Sequence, residues 1–163
     1  MRVKDIMTSN VKTARPDTRV REVALLMCLH RISGVPVLEH DHIVGVISEK
    51  DILLAIYPKV DDFMQASTMP SFEALEYEYP DVLNLQVGAL MTRKVFCVGP
   101  DEPIMRAASV MFVHRIRRIP VAEDDRLVGI LSLGDVHKAV FKEMFGREFE
   151  HVAPDKDRSG GVL

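Results

Sequence analysis

Two four-residue motifs carry the most chemistry in this chain: Ser48-Glu49-Lys50-Asp51 and Ser132-Leu133-Gly134-Asp135. Each sets a hydroxyl three residues before a carboxylate, directly after an apolar run that opens on Gly45 or Gly129. A strand that ends in such a serine and turns into a helix aims the helix's first free N–H groups, and the positive end of its dipole, at whatever lies beyond, which suits an anion. A carboxylate at the same place accepts hydrogen bonds from both hydroxyls of a ribose. The spacing also satisfies a helix capping box, with Asp in place of the usual Glu. The two readings are compatible, because one carboxylate oxygen can cap while the other faces a ligand. Gly45 and Gly129 leave their strands bare where backbone or ligand approaches closely.

A second set of candidates lies in the segments before Pro36 and Pro120. Arg117 and Arg118 precede Ile119-Pro120, whereas the matching positions in the first half are Ser33 and Gly34. A planar guanidinium engages two phosphate oxygens at once; the same arginines also serve as solvated charges at a helix C-terminus. His30-Arg31 and His114-Arg115 recur where a helix should end, and complementing its dipole is the simpler reading for both pairs. His40 and His42 flank Asp41, and two histidines make a poor metal site, so no metal is expected. Cys28 aligns with Phe112 on an apolar face and reads as core. Cys97 has no general base at a fixed spacing. With no Ser/His/Asp order, P-loop or Gly-rich fingerprint, the chain does not read as an enzyme.

These candidates come in pairs because the chain is duplicated. Shifting it by 84 positions lays Val3–Tyr57 on Val87–Phe141 without a gap, with 20 identities in 55 positions. In each copy, apolar residues at Val20, Val23, Ala24 and Met27, or at Ile104, Ala107, Ala108 and Met111, follow the spacing of one buried helical face. Thr18 is the expected N-cap of the first helix. Glu102 is a poorer one for the second, with Pro103 in the first helical turn. Val35–Glu39 and Ile43–Ser48, joined at His40-Asp41-His42, read as a β-hairpin, as do Ile119–Glu123 and Leu127–Ser132 around Asp124-Asp125-Arg126. A short strand is expected at Val11–Thr13 and at Val95–Cys97, and a second helix after Ser48 and Ser132. Each repeat is thus β-α-β-β-α, giving an α/β (α+β) fold in which two sheets pack together and cover each other's bare face.

At 163 residues the chain has the size of about one domain. Repeat one spans 1–57, an insert 58–86, repeat two 87–145, and a polar tail, expected to be disordered, 146–163. No run of about 18 apolar residues spans a membrane. The N-terminus lacks a signal peptide's apolar core, which points to the cytoplasm, and two cysteines make no disulfide framework. A net charge of -3 argues against sequence-independent nucleic-acid binding. That charge is uneven: 0 over Val3–Tyr57, +2 over Val87–Phe141 and -5 for the insert. The insert also holds apolar residues, and Ser71 caps an expected helix ending near Tyr79-Pro80. It is expected to pack back on the fold or on a partner.

The paired motifs, each after a Val-Pro-Val or Ile-Pro-Val strand, together with the opening Val3-Lys-Asp-Ile-Met-Thr8, resemble cystathionine-β-synthase (CBS) domains. Two in tandem form a Bateman module, and the resemblance spans the chain except the insert and the tail. It implies one pseudo-twofold unit whose inter-repeat clefts bind an adenosine-containing ligand such as AMP, ADP, ATP or S-adenosylmethionine. It also implies a regulatory homodimer that signals to a protein partner, with no cofactor required. In such a module the Ser/Asp motif of one repeat works with the early strand and pre-proline loop of the other. Asp51, with Ser48, is then expected beside Cys97, Arg117, Arg118, Ile119 and Pro120, and Asp135, with Ser132, beside Thr13, Gly34, Val35 and Pro36. The backbone of the pre-proline turns would meet the adenine edge. The alternative is an interaction module without a ligand, docking a partner through Glu73, Glu76 and Glu78 of the insert.

Overall fold

The computed structural model describes residues 1–56 and 81–146. The Ser71-capped helix and acidic docking segment expected in the insert, and nearly all of the tail, lie outside them. In chain order the elements are a 3-10 turn at Val3–Asp5, α1 (Val20–His30), β1 (Gly34–Glu39), β2 (His42–Ser48), α2 (Glu49–Ile56), α3 (Val87–Leu90), α4 (Ile104–Val113), β3 (Arg118–Glu123), β4 (Arg126–Ser132) and α5 (Leu133–Phe145). The anticipated helical faces are buried: Val20, Val23 and Met27 on α1, and Ile104, Ala107, Ala108 and Met111 on α4. No helix among the described residues is long and apolar enough to cross a membrane.

The two hairpins do not stack as separate sheets. They join edge to edge in one four-stranded sheet of order β1-β2-β4-β3, with His42 and Arg126 the registered pair between β2 and β4. Each hairpin turn has two residues rather than the expected three. His40-Asp41 and Asp124-Asp125 all have positive φ, between 50° and 68°. Two consecutive left-handed residues make a type I′ turn, whose twist matches that of the flanking strands. The strands expected at 11–13 and 95–97 contract to single parallel bridges one residue later, Ala14 to Val37 and Val98 to Val121. The hairpin partner bulges beside each bridge, between Val37 and Leu38 and between Val121 and Ala122.

Neither helix start follows the sequence reading. Arg19 and Pro103 occupy the N-cap positions of α1 and α4, without side-chain caps. The Thr18 hydroxyl instead accepts from the Arg15 N–H at 3.0 Å, and Glu102 accepts from the Gly99 N–H at 3.0 Å. The exposed donors at the helix starts are met by crossing segments: the Val20 N–H by the Leu85 carbonyl, and the Ile104 N–H by that of Met1. The helix ends are regular. Arg31 and Arg115 take left-handed φ of 51° and 54°. The Ile32 N–H then reaches the Met27 carbonyl and the Ile116 N–H that of Met111, closing two Schellman motifs.

The crossing segments trade the openings of the two repeats. One core cluster unites Val20, Val23, Met27, Val35, Val37 and Ile47 with Val82, Val87 and Met91. The other unites Ile104, Met111, Ile119, Val121 and Leu131 with Val3 from the chain's start. Thr92 bridges Val46 of β2, and Thr8 bridges Ile130 of β4. The two glycines are explained here. A Cβ on Gly45 would stand 2.7 Å from the Met91 sulfur, and one on Gly129 would stand 2.6 Å from that of Met7. Their bareness makes room for the exchanged methionines.

Candidate functional site

Both Ser/Asp motifs form capping boxes. Asp135 Oδ2 accepts from the Ser132 N–H at 2.9 Å and from its hydroxyl at 2.6 Å, and the Asp135 N–H donates to Ser132 Oγ at 3.2 Å. Asp51 repeats this with Ser48 at 2.8, 2.6 and 3.4 Å. Oδ2 alone does this work. Among the described residues the Oδ1 atom of Asp51 meets only a long contact from the Thr92 hydroxyl, 3.4 Å away. The first-turn N–H groups are partly spent: those of Glu49 and Leu133 donate to the Ser33 and Arg117 carbonyls, each at 3.0 Å. The helix starts therefore offer an anion less than a bare N-terminus would, and the arginine and lysine side chains supply the positive field.

The Asp51 carboxylate opens on a cleft of about 740 Å³, within the range of small-molecule sites. Ser48, Asp51, Gly34, Val35 and Pro36 contribute from repeat one, and Arg117, Arg118 and Pro120 from repeat two. Lys50, Lys94 and Arg115 also line it, so five fixed cations face two carboxylates, Glu49 and Asp51. Phe96 and His114 stack within it, ring centroids 3.5 Å apart, with the Lys94 ammonium 5.5 Å from the Phe96 ring. The Asp135 cleft is smaller, about 250 Å³, lined by Ser132, Asp135, Thr8, Asn10, Lys12 and Gly34, with Arg118 at its edge.

The sequence-predicted residues separate into three groups. Ser48, Asp51, Ser132, Asp135, Gly34, Arg117 and Arg118 stand in the cleft walls. Val35, Pro36, Ile119 and Pro120 are buried; Val35, Pro36 and Pro120 still line a cleft, whereas Ile119, expected beside Asp51, lines neither and belongs to the core. Val35 and Pro36 line the Asp51 cleft rather than the Asp135 cleft. Thr13 and Cys97 are not among the lining residues of either cleft, where Val11 and Lys12, or Val95 and Phe96, stand instead. The early strand in which the resemblance placed Thr13 and Cys97 contracts to a single bridge, at Ala14 and at Val98. The partial shelter around Cys97, with Asp125 nearby, pushes its thiol above the ordinary value and keeps it protonated at neutral pH. Cys28, expected in the core, is exposed.

Sequence reasoning read His114 and Arg115 as dipole partners although both line the larger cleft, and it missed Thr92, Lys94 and Phe96 there and Thr8, Asn10 and Lys12 at the smaller. The repeated Met-Thr of the openings, at 7–8 and 91–92, was the available signal for the threonines. The rest needed the crossing of the two openings to be known.

Two exchanged α/β repeats around paired clefts define a class, a tandem domain pair with clefts between its halves. A family model, CBS domain, matches residues 3–58 and 87–142, and the chain belongs to that family. The chain is 34% identical over 154 residues to the uncharacterized protein MJ1426 of Methanocaldococcus jannaschii, covering 86% of this chain and 91% of that one. It also resembles the structure of CBSX2 in complex with AMP, with TM-score 0.67, 28% identity, and coverage of 88% and 98%. The CBS domain pair of MJ0100, solved with methylthioadenosine and S-adenosyl-L-methionine, shares the fold at TM-score 0.65 and 23% identity, over 88% of this chain and 98% of that one.

Proposed function

We propose that this protein is a regulatory CBS pair that binds an adenine nucleotide of the AMP/ADP/ATP class, in the Asp51 cleft first, and passes the binding event to a protein partner. The observation that carries this reading is the cleft itself. One carboxylate oxygen, Asp51 Oδ1, is left over from capping, and Arg117, Arg118 and Lys94 line the same cleft. A ribose diol suits the first group and phosphates the second. The similarity to CBSX2, solved with AMP, supports the ligand class. S-adenosylmethionine brings one carboxylate but also a sulfonium and an ammonium into a cleft lined by five cations, and is the weaker fit.

The chain acts by binding rather than catalysis: the Ser48 and Ser132 hydroxyls are each engaged in a helix cap with Asp51 or Asp135. It resides in the cytoplasm, and neither nucleic acid nor membrane is a partner. Its homodimer interface is the exposed apolar helix surface, where Leu29 and Phe112 remain 70% and 69% exposed beside Leu25 and Val113. Apolar surface left on two helices in this way marks an association face. Thermal shift and calorimetry with AMP, ADP, ATP, NADH and S-adenosylmethionine test the ligand. Saturable binding of an adenine nucleotide, abolished by Asp51→Ala with Asp135→Ala, is expected. No response to any of them at millimolar concentration would overturn the reading.

A further inference from the structure

The two clefts are not independent compartments. Among the described residues Arg118 is the one charged side chain that lines both. It opens β3 of repeat two, is half-buried, and its Nη1 donates to Ser33 Oγ in the pre-proline loop of repeat one. The guanidinium therefore stands at the wall between the clefts, tied to a hydroxyl that is easily exchanged for a stronger acceptor. A phosphate is such an acceptor, since charge-assisted bonds are about twice as strong as neutral ones.

We propose that Arg118 couples the two sites negatively for anionic ligands: a nucleotide phosphate in the Asp51 cleft draws the guanidinium from Ser33 and weakens anion binding beside Asp135. The two clefts differ in what remains. The Asp51 cleft keeps Lys50, Lys94, Arg115 and Arg117, whereas the Asp135 cleft keeps Lys12 alone. Ligands carrying phosphate therefore fill the clefts in order, Asp51 first. The coupling is reciprocal, so an anion already held beside Asp135 weakens binding at Asp51 by the same factor. An uncharged nucleoside makes no claim on Arg118 and is not coupled. In a cell, the second cleft then fills only at nucleotide concentrations well above those that saturate the first, or with an uncharged adenosine compound. This inference rests on the nucleotide reading above.

Calorimetry with ADP tests it on the full chain, with adenosine as the uncharged control. Asp135→Ala leaves the Asp51 cleft alone and Asp51→Ala leaves the Asp135 cleft alone, so each cleft's own affinity is measured without the other. The second equivalent of ADP on the natural protein is expected to bind about fivefold or more weakly than it does to Asp51→Ala, the lower end of ordinary coupling between sites. Arg118→Gln is expected to close that gap, Arg118→Lys to keep part of it, and adenosine to show none. If the natural protein takes up one equivalent, ADP binding by Asp51→Ala supports exclusive filling, and its absence overturns the inference. Two ADP molecules bound with the single-cleft affinities, or a gap that persists in Arg118→Gln, would also overturn the inference while leaving nucleotide binding intact. No ADP binding to any form would overturn both.

Discussion

Asp51 and Asp135 each serve the fold with one oxygen, which separates stability from recognition experimentally. Asp51→Ala removes the acceptor for the Ser48 N–H and hydroxyl and is expected to cost about 1 kcal/mol in denaturant unfolding, as the loss of a cap does. Asp51→Asn retains one carbonyl oxygen for the cap and gives up the charge. It is expected to unfold near the natural midpoint yet bind nucleotide roughly tenfold more weakly, as loss of a hydrogen bond to a charged group implies. Equal affinity in the Asn variant would mean that Asp51 only caps. Spacing within a motif is local, so the sequence showed the capping role and left room for the proposed ligand role beside it. It did not show which oxygen does which, because that depends on Thr92 arriving from the other repeat.

The hairpins and the exchanged openings hold the clefts in place, and both carry testable strain or crowding. Asp41 and Asp125 sit at φ 68° and 62°, where residues with a Cβ pay about 1 kcal/mol or more and glycine does not. Asp41→Gly and Asp125→Gly should each raise the unfolding midpoint. Gly129→Ala acts in the opposite direction. Its Cβ would displace the Met7 sulfur and crowd the Thr8 carbonyl 3.2 Å away, at an expected cost of about 1–3 kcal/mol. An ion pair fixes the same opening: Lys4 Nζ lies 2.6 Å from Asp101 Oδ1. That bond, and then the charge of Lys4, holds the Asp101 carboxyl below its ordinary value, and Asp101 raises Lys4. A lowered carboxyl value means the contribution is present at neutral pH and is lost as pH falls through the folded value; for Lys4 it is lost at strongly alkaline pH. Both groups are exposed, so Lys4→Met should lower the midpoint slightly at pH 7 and not at pH 2. The duplication made the repeat elements legible from periodicity alone. The type I′ turns and the helix starts were not, because tertiary partners, not local caps, satisfy Val20 and Ile104.

At the scale of the whole chain, the mild net charge divides into a cationic cleft wall drawn mainly from repeat two and a Ser/Asp motif drawn from repeat one. The pairing of the two halves was legible through the repeat and its resemblance to CBS domains. The exchange of openings was not, because an exchanged segment has the same sequence as one that stays home. The proposed dimer is tested through the apolar helix faces: light scattering should give a dimer mass, and Leu29→Glu with Phe112→Glu should give a monomer that still binds nucleotide. The nucleotide itself is tested most directly by a crystal structure grown with saturating ADP. The proposed function requires density in the Asp51 cleft, with the ribose hydroxyls on the Asp51 carboxylate and the phosphates toward Arg117, Arg118 and Lys94. An empty Asp51 cleft under those conditions, or ADP bound without contact to Asp51, would contradict it.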